Sequence, residues 1–482
     1  MKTVFPRLWP ASALALALAT ALAGCASLAP PYPAPALPVP AAYPDAEAGA
    51  KAGGENAAAL AWRDYFANPG LQQLIAQALE NNRDLRIAAL RVDEARAAHG
   101  IARAEQFPTI GLGIEDNRAL VPGDLNLTGR PLLGSQYQVG LNVSAWELDF
   151  WGRVRSLKNA ALENLLASDE ARRAVTVALV AQVADGYLAL RELDERVALA
   201  RRSVASRAES YRIFKRRFEV GSISKLDLTQ VETLLNQAQA LGAQLEQARE
   251  VRAHALAQLV GAGVDLAPQE GRFDDATVLR ELAPGLPSDL LQARPDMVAA
   301  EHQLRAAQAN IGAARAAFFP RITLTAAFGT ASAELDGLFD SGSRAWNFLP
   351  RLTLPIFDAG RNRAGLDLAV VRRDVALANY EKSVQNAFRE VADALTGRRW
   401  LAEQVRIGLA TLAAQTERAR LAQLRYQNGA APYLEVLDAQ RDLLGVEQQL
   451  VQTRRLLLSS QVSLYAALGG GAPHSTLEKA HP

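Results

Sequence analysis

Arg425-Tyr426-Gln427-Asn428-Gly429-Ala430-Ala431-Pro432-Tyr433-Leu434-Glu435-Val436-Leu437-Asp438-Ala439 joins two long amphipathic patterns. Gly429 stops one helix and Pro432 starts the next. The stretch Arg217-Phe218-Glu219-Val220-Gly221-Ser222-Ile223-Ser224-Lys225-Leu226-Asp227 uses the same device. Arg217 and Arg425, Phe218 and Tyr426, Gly221 and Gly429, Leu226 and Leu434, and Asp227 and Glu435 pair at one constant offset. The chain is therefore organised around two related helical hairpin tips, each acidic just past its turn.

Outward from the first tip, a helical pattern reaches back from about Phe218 to Gly152, roughly 65 residues or about 100 Å at 1.5 Å per residue. A second runs from Leu226 to Val260 and ends at Gly261 and Gly263. Nearer the N-terminus, Leu71, Leu74, Ile75, Ala78 and Leu79 open an amphipathic helix that breaks near Asn81-Asn82 and resumes to about Gln106. The period then drops to two. Ile110, Leu112 and Ile114 alternate with Gly111, Gly113 and Glu115, and after a polar loop over 118–136 alternation returns in Tyr137, Val139, Leu141, Val143 and Ala145.

The second half replays this order. Arg294-Pro295-Asp296 opens a helix to Phe319, and Phe319-Pro320 echoes Phe107-Pro108. Ile322, Leu324, Ala326 and Phe328 mark a strand, a loop follows at 331–345, and Phe348, Leu352, Leu354 and Ile356 mark another. Pro350 and Pro355 suit only the edges of that last strand. Gly360-Arg361 echoes Gly152-Arg153, and Gly469 echoes Gly261, which predicts an internal duplication.

Four strands of about ten residues have the length for tilted membrane crossings. Four cannot close a barrel, and open edges in lipid would strand backbone polar groups at several kcal/mol each. Closure requires other copies, and three would supply twelve strands. Phe107, Trp146, Phe150, Trp151, Phe319 and Phe357 cluster where strands meet helices, as an interfacial belt does. The predicted fold class is an α+β membrane protein: a trimeric outer-membrane β-barrel continued by a long α-helical barrel.

Composition narrows the function. Lys plus Arg (52) balances Asp plus Glu (51) over 482 residues, so no basic field argues for nucleic acid. No run of eighteen apolar residues follows the N-terminus. Lys2 and Arg7 precede an apolar run from about Ala11 to Ala23, the pattern of a secretory signal over residues 1–24. It ends at Leu22-Ala23-Gly24-Cys25, which resembles a bacterial lipobox, so Cys25 is expected to carry N-acyl and S-diacylglycerol lipid. Ala26 rather than Asp at the next position implies, by the same resemblance, sorting to the outer membrane.

Cys25 is the sole cysteine, so no disulfide framework exists. A Pro-rich tether over 25–61, a first repeat over 62–262, a connector over 263–286, a second repeat over 287–469 and a tail over 470–482 complete the domain reading. The five histidines have no metal-ligand spacing, and no nucleophile elbow or phosphate loop occurs, so neither an enzyme nor a non-lipid cofactor is expected.

These blocks resemble the outer-membrane factor family of tripartite efflux systems, in its NodT-like lipoprotein branch. The motifs that carry the likeness are Trp146-Glu147-Leu148-Asp149-Phe150-Trp151-Gly152-Arg153, Arg294-Pro295-Asp296 with Ala300-Glu301, Phe319-Pro320, and Leu354-Pro355-Ile356-Phe357-Asp358-Ala359-Gly360-Arg361. The resemblance implies a homotrimer, an inner-membrane pump of the proton-driven RND type and a periplasmic adaptor whose helical hairpin docks at the tunnel's lower end.

It also implies roles at the tips. Glu435 and Asp438, three apart on one helix face, would form an acidic periplasmic gate, with Asp442 a turn further on left open as a member. Tyr426 would hydrogen-bond to Asp227 as a tie holding the hairpin inward, while relatives' arginine tie near Ala431 has no counterpart. Arg217, Gly221, Ser222, Arg425 and Gly429 would dock the adaptor, and ordinary helix C-capping explains the same glycines. The cargo is expected to be small toxic organic compounds. Metal ions or secreted proteins as cargo, and a non-conducting structural lipoprotein, are the alternatives. With only Met1 and Met297, a methionine relay for metal is unsupported.

Overall fold

The computed structural model describes residues 28–33, 35–40, 42–43, 55–56, 60–269, 271, 282–283 and 294–471. The expected signal segment and Cys25 lie outside the described residues, as do most of the connector and of the tail. The elements are β1 (Glu55–Asn56), α1 (Trp62–Tyr65), α2 (Pro69–Asn81), α3 (Arg83–Ala104), β2 (Ile110–Val121), β3 (Leu132–Leu148), α4 (Arg153–Glu219) and α5 (Lys225–Val260). They continue with β4 (Leu282–Ala283), α6 (Pro295–Ala316), β5 (Arg321–Ser332), β6 (Arg344–Thr353), α7 (Arg361–Gln427) and α8 (Tyr433–Ala467). The order helix, strand, strand, 67-residue helix, helix thus runs twice.

Two compact units form. One takes the described parts of Met1–Ala36 with Val92–Ser168 and Ala300–Tyr380, and the other takes Leu37–Arg91, Asp169–Ala299 and Glu381–Pro482. The first holds a four-stranded antiparallel sheet in the order β2-β3-β5-β6. Its register is the informative feature. Leu112 pairs with Leu141, Leu141 with Phe328 and Phe328 with Trp346, and all four side chains are exposed. One face of the sheet therefore carries a continuous apolar row, with Ile110, Val143, Ala326 and Phe348 as the next row. The neighbouring register positions, which point to the opposite face, hold Gly111, Asn142, Ala327 and Asn347. At the Gly140–Gly329 pair the strands approach so closely that a Cβ on Gly140 would meet the Phe328 carbonyl at 2.6 Å.

Several boundaries differ from the sequence reading. The polar loop expected over 118–136 shrinks, because the β2–β3 ladder continues out to the Val121–Leu132 pair. Backbone ladder bonds form whatever the side chains are, so Asn117, Arg118, Ser135 and Gln136 join the strands. The helix expected to reach Phe319 ends at Ala316, and the Phe318 and Phe319 amides turn back to the Arg315 and Ala316 carbonyls. Pro350 lies within β6 opposite Leu324 rather than at the strand's end. Each residue of a strand donates to one side only, so the proline costs β6 at most a single ladder bond. Pro355 falls beyond the strand. A bulge between Val143 and Trp146 places Ala145 at φ 48°, which alternation alone did not reveal. The parallel pairing of β1 with β4 was likewise unforeseen, since two-residue strands leave no periodic signal.

The motifs at the base of the sheet are helix-starting devices. Asp149 accepts from the Val154 and Arg155 amides at 3.0 and 2.8 Å and so caps α4. Asp358 accepts from the Gly360 and Asn362 amides, both at 2.9 Å, and caps α7 in the same way. Trp151 donates from Nε1 to the Pro320 carbonyl at 2.8 Å and stacks on Phe319. Residues 28–32 run along α6. Gln308 donates to the Pro30 and Pro31 carbonyls, Arg315 to that of Leu28, and the Tyr32 hydroxyl to Glu301.

The second unit is helical apart from the short β1–β4 pair. Tyr65 and Tyr465 stack face to face with ring centroids 4.1 Å apart, and each hydroxyl reaches a backbone carbonyl, of Gln461 and Leu60 respectively. Arg294 is buried beside Asp296 and Glu390 and donates to the Ala467 carbonyl, which ties the start of α6 to the end of α8. Burial disfavours its charge, but the two carboxylates outweigh that and raise its pKa. An eighteen-residue stretch of α4 has mean hydropathy 1.3 and is 61% buried within the fold, which is the behaviour of a core helix.

Candidate functional site

Both tips lie in the helical unit and are built alike. Gly221 and Gly429 adopt left-handed backbone at φ 76° and 69°. Behind each, the next residue's amide reaches five positions back: Ser222 to the Arg217 carbonyl at 2.9 Å and Ala430 to that of Arg425 at 2.8 Å. This is the helix-terminating arrangement that glycine permits. Nothing lies within 4 Å of where a Cβ would stand on either glycine, so the requirement is backbone conformation and not space.

Beyond the turns the tips diverge. The first restarts with a reciprocal cap, in which Ser224 Oγ accepts from the Asp227 amide and the Asp227 carboxylate accepts from the Ser224 amide. The second restarts at Pro432, which offers no side-chain cap. Instead Arg425 reaches across the turn to Glu435 at 2.6 Å. Asp438 pairs with Arg441 at 3.2 Å, and Asp442 with Arg418 at 2.7 Å and Arg441 at 3.1 Å. The Arg418 and Arg441 hydrogen bonds hold the Asp442 carboxyl below the usual carboxylate range. Each acid on the α8 face therefore has its own arginine, and the face is not a bare anionic surface.

The expected bond from Tyr426 to Asp227 is absent among the described residues. Asp227 is occupied in its cap, and the Tyr426 hydroxyl accepts from Arg217 Nη1 at 2.8 Å. Arg217 is also an expected docking residue, so that role and the tie meet in one side chain. Ser222 donates from Oγ to the Arg217 carbonyl at 2.9 Å. The sequence reading assigned no role to Tyr433, Ser210, Arg418 or Arg441. Only the i, i+3 spacing of Asp438 and Arg441 was legible as a pair. Arg418 meets Asp442 because the two stand at matching distances on either side of the turn.

The charge on the two tips also differs. Residues 201–227 carry eight Lys or Arg against three Asp or Glu, while the equivalent stretch 409–435 carries three against two. Val220 and Leu226 stand exposed at the first tip beside Lys215 and Arg216. Among the described residues no three His, Cys, Asp or Glu side chains converge as a metal site needs.

Comparison with known proteins adds to this geometry. The family pattern described as outer membrane efflux protein matches residues 74–262 and 286–470. The chain is 45% identical over 458 residues to the solvent efflux pump outer membrane protein SrpC of Pseudomonas putida, covering 93% of this chain and 96% of that one. It is 44% identical over 457 residues to the outer membrane protein OprJ of Pseudomonas aeruginosa, covering 93% of each. Among solved structures, a membrane protein from Pseudomonas aeruginosa superposes with TM-score 0.87 at 42% identity, over 92% of this chain and 98% of that one. The open state of the Neisseria gonorrhoeae MtrE outer membrane channel gives 0.84 at 37%, over 93% and 99%.

Proposed function

The chain belongs to the outer membrane efflux protein family, whose members are outer-membrane conduits and not enzymes, and we propose from that premise that three copies form one exit duct. The row Leu112, Leu141, Phe328 and Trp346 carries this reading, because a sheet exposing such a face suits lipid. Strands β2 and β6 are its free edges, and free edges in lipid leave backbone groups unpaired. Pairing β2 of one copy with β6 of the next closes a wall. Two copies would give eight strands, whose interior side chains fill, whereas twelve leave a passage.

The long helices would continue the passage through the periplasm towards an adaptor and an RND-type pump. The relatives are named for solvent, toluene and antibiotic efflux, which favours small organic compounds as cargo here. At the lower end, Glu435, Asp438 and Asp442 from three copies would ring the axis as the gate. The arginine beside each acid makes that ring nearly neutral while the hairpins are packed. Adaptor docking would use the first tip, where Gly221, Ser222, Val220 and Leu226 stand open within a basic surface. Arg217 and Arg425 are engaged inside the chain and would exchange partners on docking.

Lipidation of Cys25 also belongs to this reading. Leu28, three residues on, is held by Arg315 close to where α6 gives way to Phe318, Phe319 and β5.

The test is extraction in mild detergent after replacing Leu112 and Trp346 with cysteine for crosslinking. Crosslinked three-copy particles that conduct in planar bilayers are expected. A stable single-copy particle forming no pores would overturn the reading.

A further inference from the structure

We propose that Tyr433 is the latch of the gate: a positioning residue that holds the second hairpin closed against the first through Ser210. The proposal rests on the reading of the tips as a gate and names the contact that keeps it shut.

The phenol of Tyr433 lies 2.6 Å from Ser210 Oγ, across 223 residues of sequence. Ser210 donates its only hydroxyl proton to the Ser206 carbonyl at 3.0 Å, and a carbonyl can only accept. Tyr433 is therefore the donor and Ser210 the acceptor. Ser210 is 8% exposed, so water is poorly placed to replace the bond. The tie nearer the turns, Arg217 to Tyr426, is exposed and competes with solvent, while Arg196–Gln448 and Arg455–Glu192 join α4 to α8 farther from the tips.

Packing singles out the same residue. The Tyr433 ring sits 4.7 Å from that of Phe214 and 4.8 Å from that of Tyr426. It packs against both apolar clusters of the tip region, one around Phe214, Leu228, Val231 and Leu437 and the other around Ala422, Val436 and Ala439. It is also the first residue of α8, the helix whose start lacks a side-chain cap. The first hairpin's return helix starts on a reciprocal cap, whereas the second's starts without one and its tip end is held against the first hairpin by this side chain. The arginine at this turn, Arg425, is engaged within its own hairpin, on Glu435 and the Ala430 carbonyl, and makes no tie to the first hairpin among the described residues.

The experiment uses the full-length protein in planar bilayers and reads the ratio of open to closed dwell times. Tyr433→Phe keeps the ring and removes the donor, and Ser210→Ala removes the acceptor. Each should raise the ratio about five-fold if copies open singly, or roughly a hundred-fold if three open together, the equivalent of one net hydrogen bond per copy. The double variant should do no more than either single one. Ser210→Thr restores an acceptor and should behave as the parent, which a general packing defect would not do. Unchanged ratios in both single variants, or additive effects in the double, overturn the latch. Glu435→Ala with Asp438→Ala serves as the separate check: if these leave conductance unaltered while Tyr433→Phe shifts the ratio, the acidic gate falls and the latch stands.

Discussion

Arg217 donates from Nη1 to the hydroxyl of Tyr426 across 2.8 Å, so the arginine ending one long helix is bonded to the phenol ending the other. Tyr426 stands one position past Arg425, the counterpart of Arg217, so each tip contributes one partner. Because the bond is exposed, its net worth is small, about 0.5–1 kcal/mol. Tyr426→Phe and Arg217→Ala should each raise the open fraction about two- to five-fold if copies open singly and fail to add when combined. Tyr426→Phe with Asp227→Asn should add, since Asp227 serves its own cap. Single-channel recording distinguishes the two pairs, and additivity between Arg217 and Tyr426 would argue against the bond.

Arg425 neutralises Glu435 at 2.6 Å. Both groups are partly solvated, so the pair contributes little to stability and chiefly sets the local charge. Arg425→Ala should leave thermal stability within about 0.5 kcal/mol of the parent and increase cation selectivity. The reversal potential under a salt gradient measures this, with the shift shrinking as ionic strength rises. An unchanged reversal potential would mean that Glu435 does not face the passage.

Asp442 sets a pH response. Arg418 and Arg441 lower its pKa in the folded chain. Its contribution to holding α7 against α8 is therefore full above the ordinary carboxylate value, about 4, and is lost as pH falls through the lowered one. Acidification below about pH 4 should open the closed channel. Asp442→Asn should remove that acid step and raise the open fraction at neutral pH. Retention of the acid step in Asp442→Asn would assign it to another group.

The tips were legible because glycine and proline punctuate helices by backbone geometry alone, and Gly221, Gly429 and Pro432 act as their types dictate. The strands were legible from alternation at Ile110–Ile114 and Tyr137–Val143. Their full length was not, since Asn117 or Gln136 joins a ladder through main-chain groups that carry no side-chain signature. Pairings across the hairpins were the least legible part. Tyr426 was matched to Asp227 by likeness, whereas which arginine swings to which oxygen depends on helix rotation that sequence spacing does not encode. Ser210 could not be associated with Tyr433 at all, because a serine inside a long amphipathic helix reads as an ordinary surface residue.

Arg294 offers a stability test away from the tips. Its guanidinium bonds Asp296, Glu390 and the Ala467 carbonyl from a buried position. Asp296 and Glu390 are each 43% exposed, so water would take over their needs if the arginine were lost. The remaining cost is the orphaned carbonyl and the emptied space. Arg294→Leu, similar in reach along its stem, should destabilise the chain by about 1–3 kcal/mol. Denaturant midpoints measured on the detergent-solubilised protein would show it, and an unshifted midpoint would mean that the cluster contributes no net stability.

The imbalance of charge between the tips makes the last prediction. A docking hairpin approaching the first tip meets Lys215 and Arg216 beside exposed Val220 and Leu226. At the second tip it meets arginines already paired with Glu417, Glu435 and Asp442. Among the described residues Arg216 faces only Glu219, at 3.4 Å, and residues 201–227 keep an excess of five positive charges (eight against three) where 409–435 keep one (three against two). That surplus is what steers association. Lys215→Glu with Arg216→Glu should therefore slow association with a helical hairpin bearing glutamates at its tip about ten-fold at low salt, and charge reversal of those glutamates should restore it. Arg420→Glu, at the second tip, should change the association rate less than two-fold. Association rates from surface-immobilised protein over a range of salt concentrations decide the matter. Equal sensitivity at the two tips would place docking on shape and backbone contacts alone, with no preference for the first hairpin.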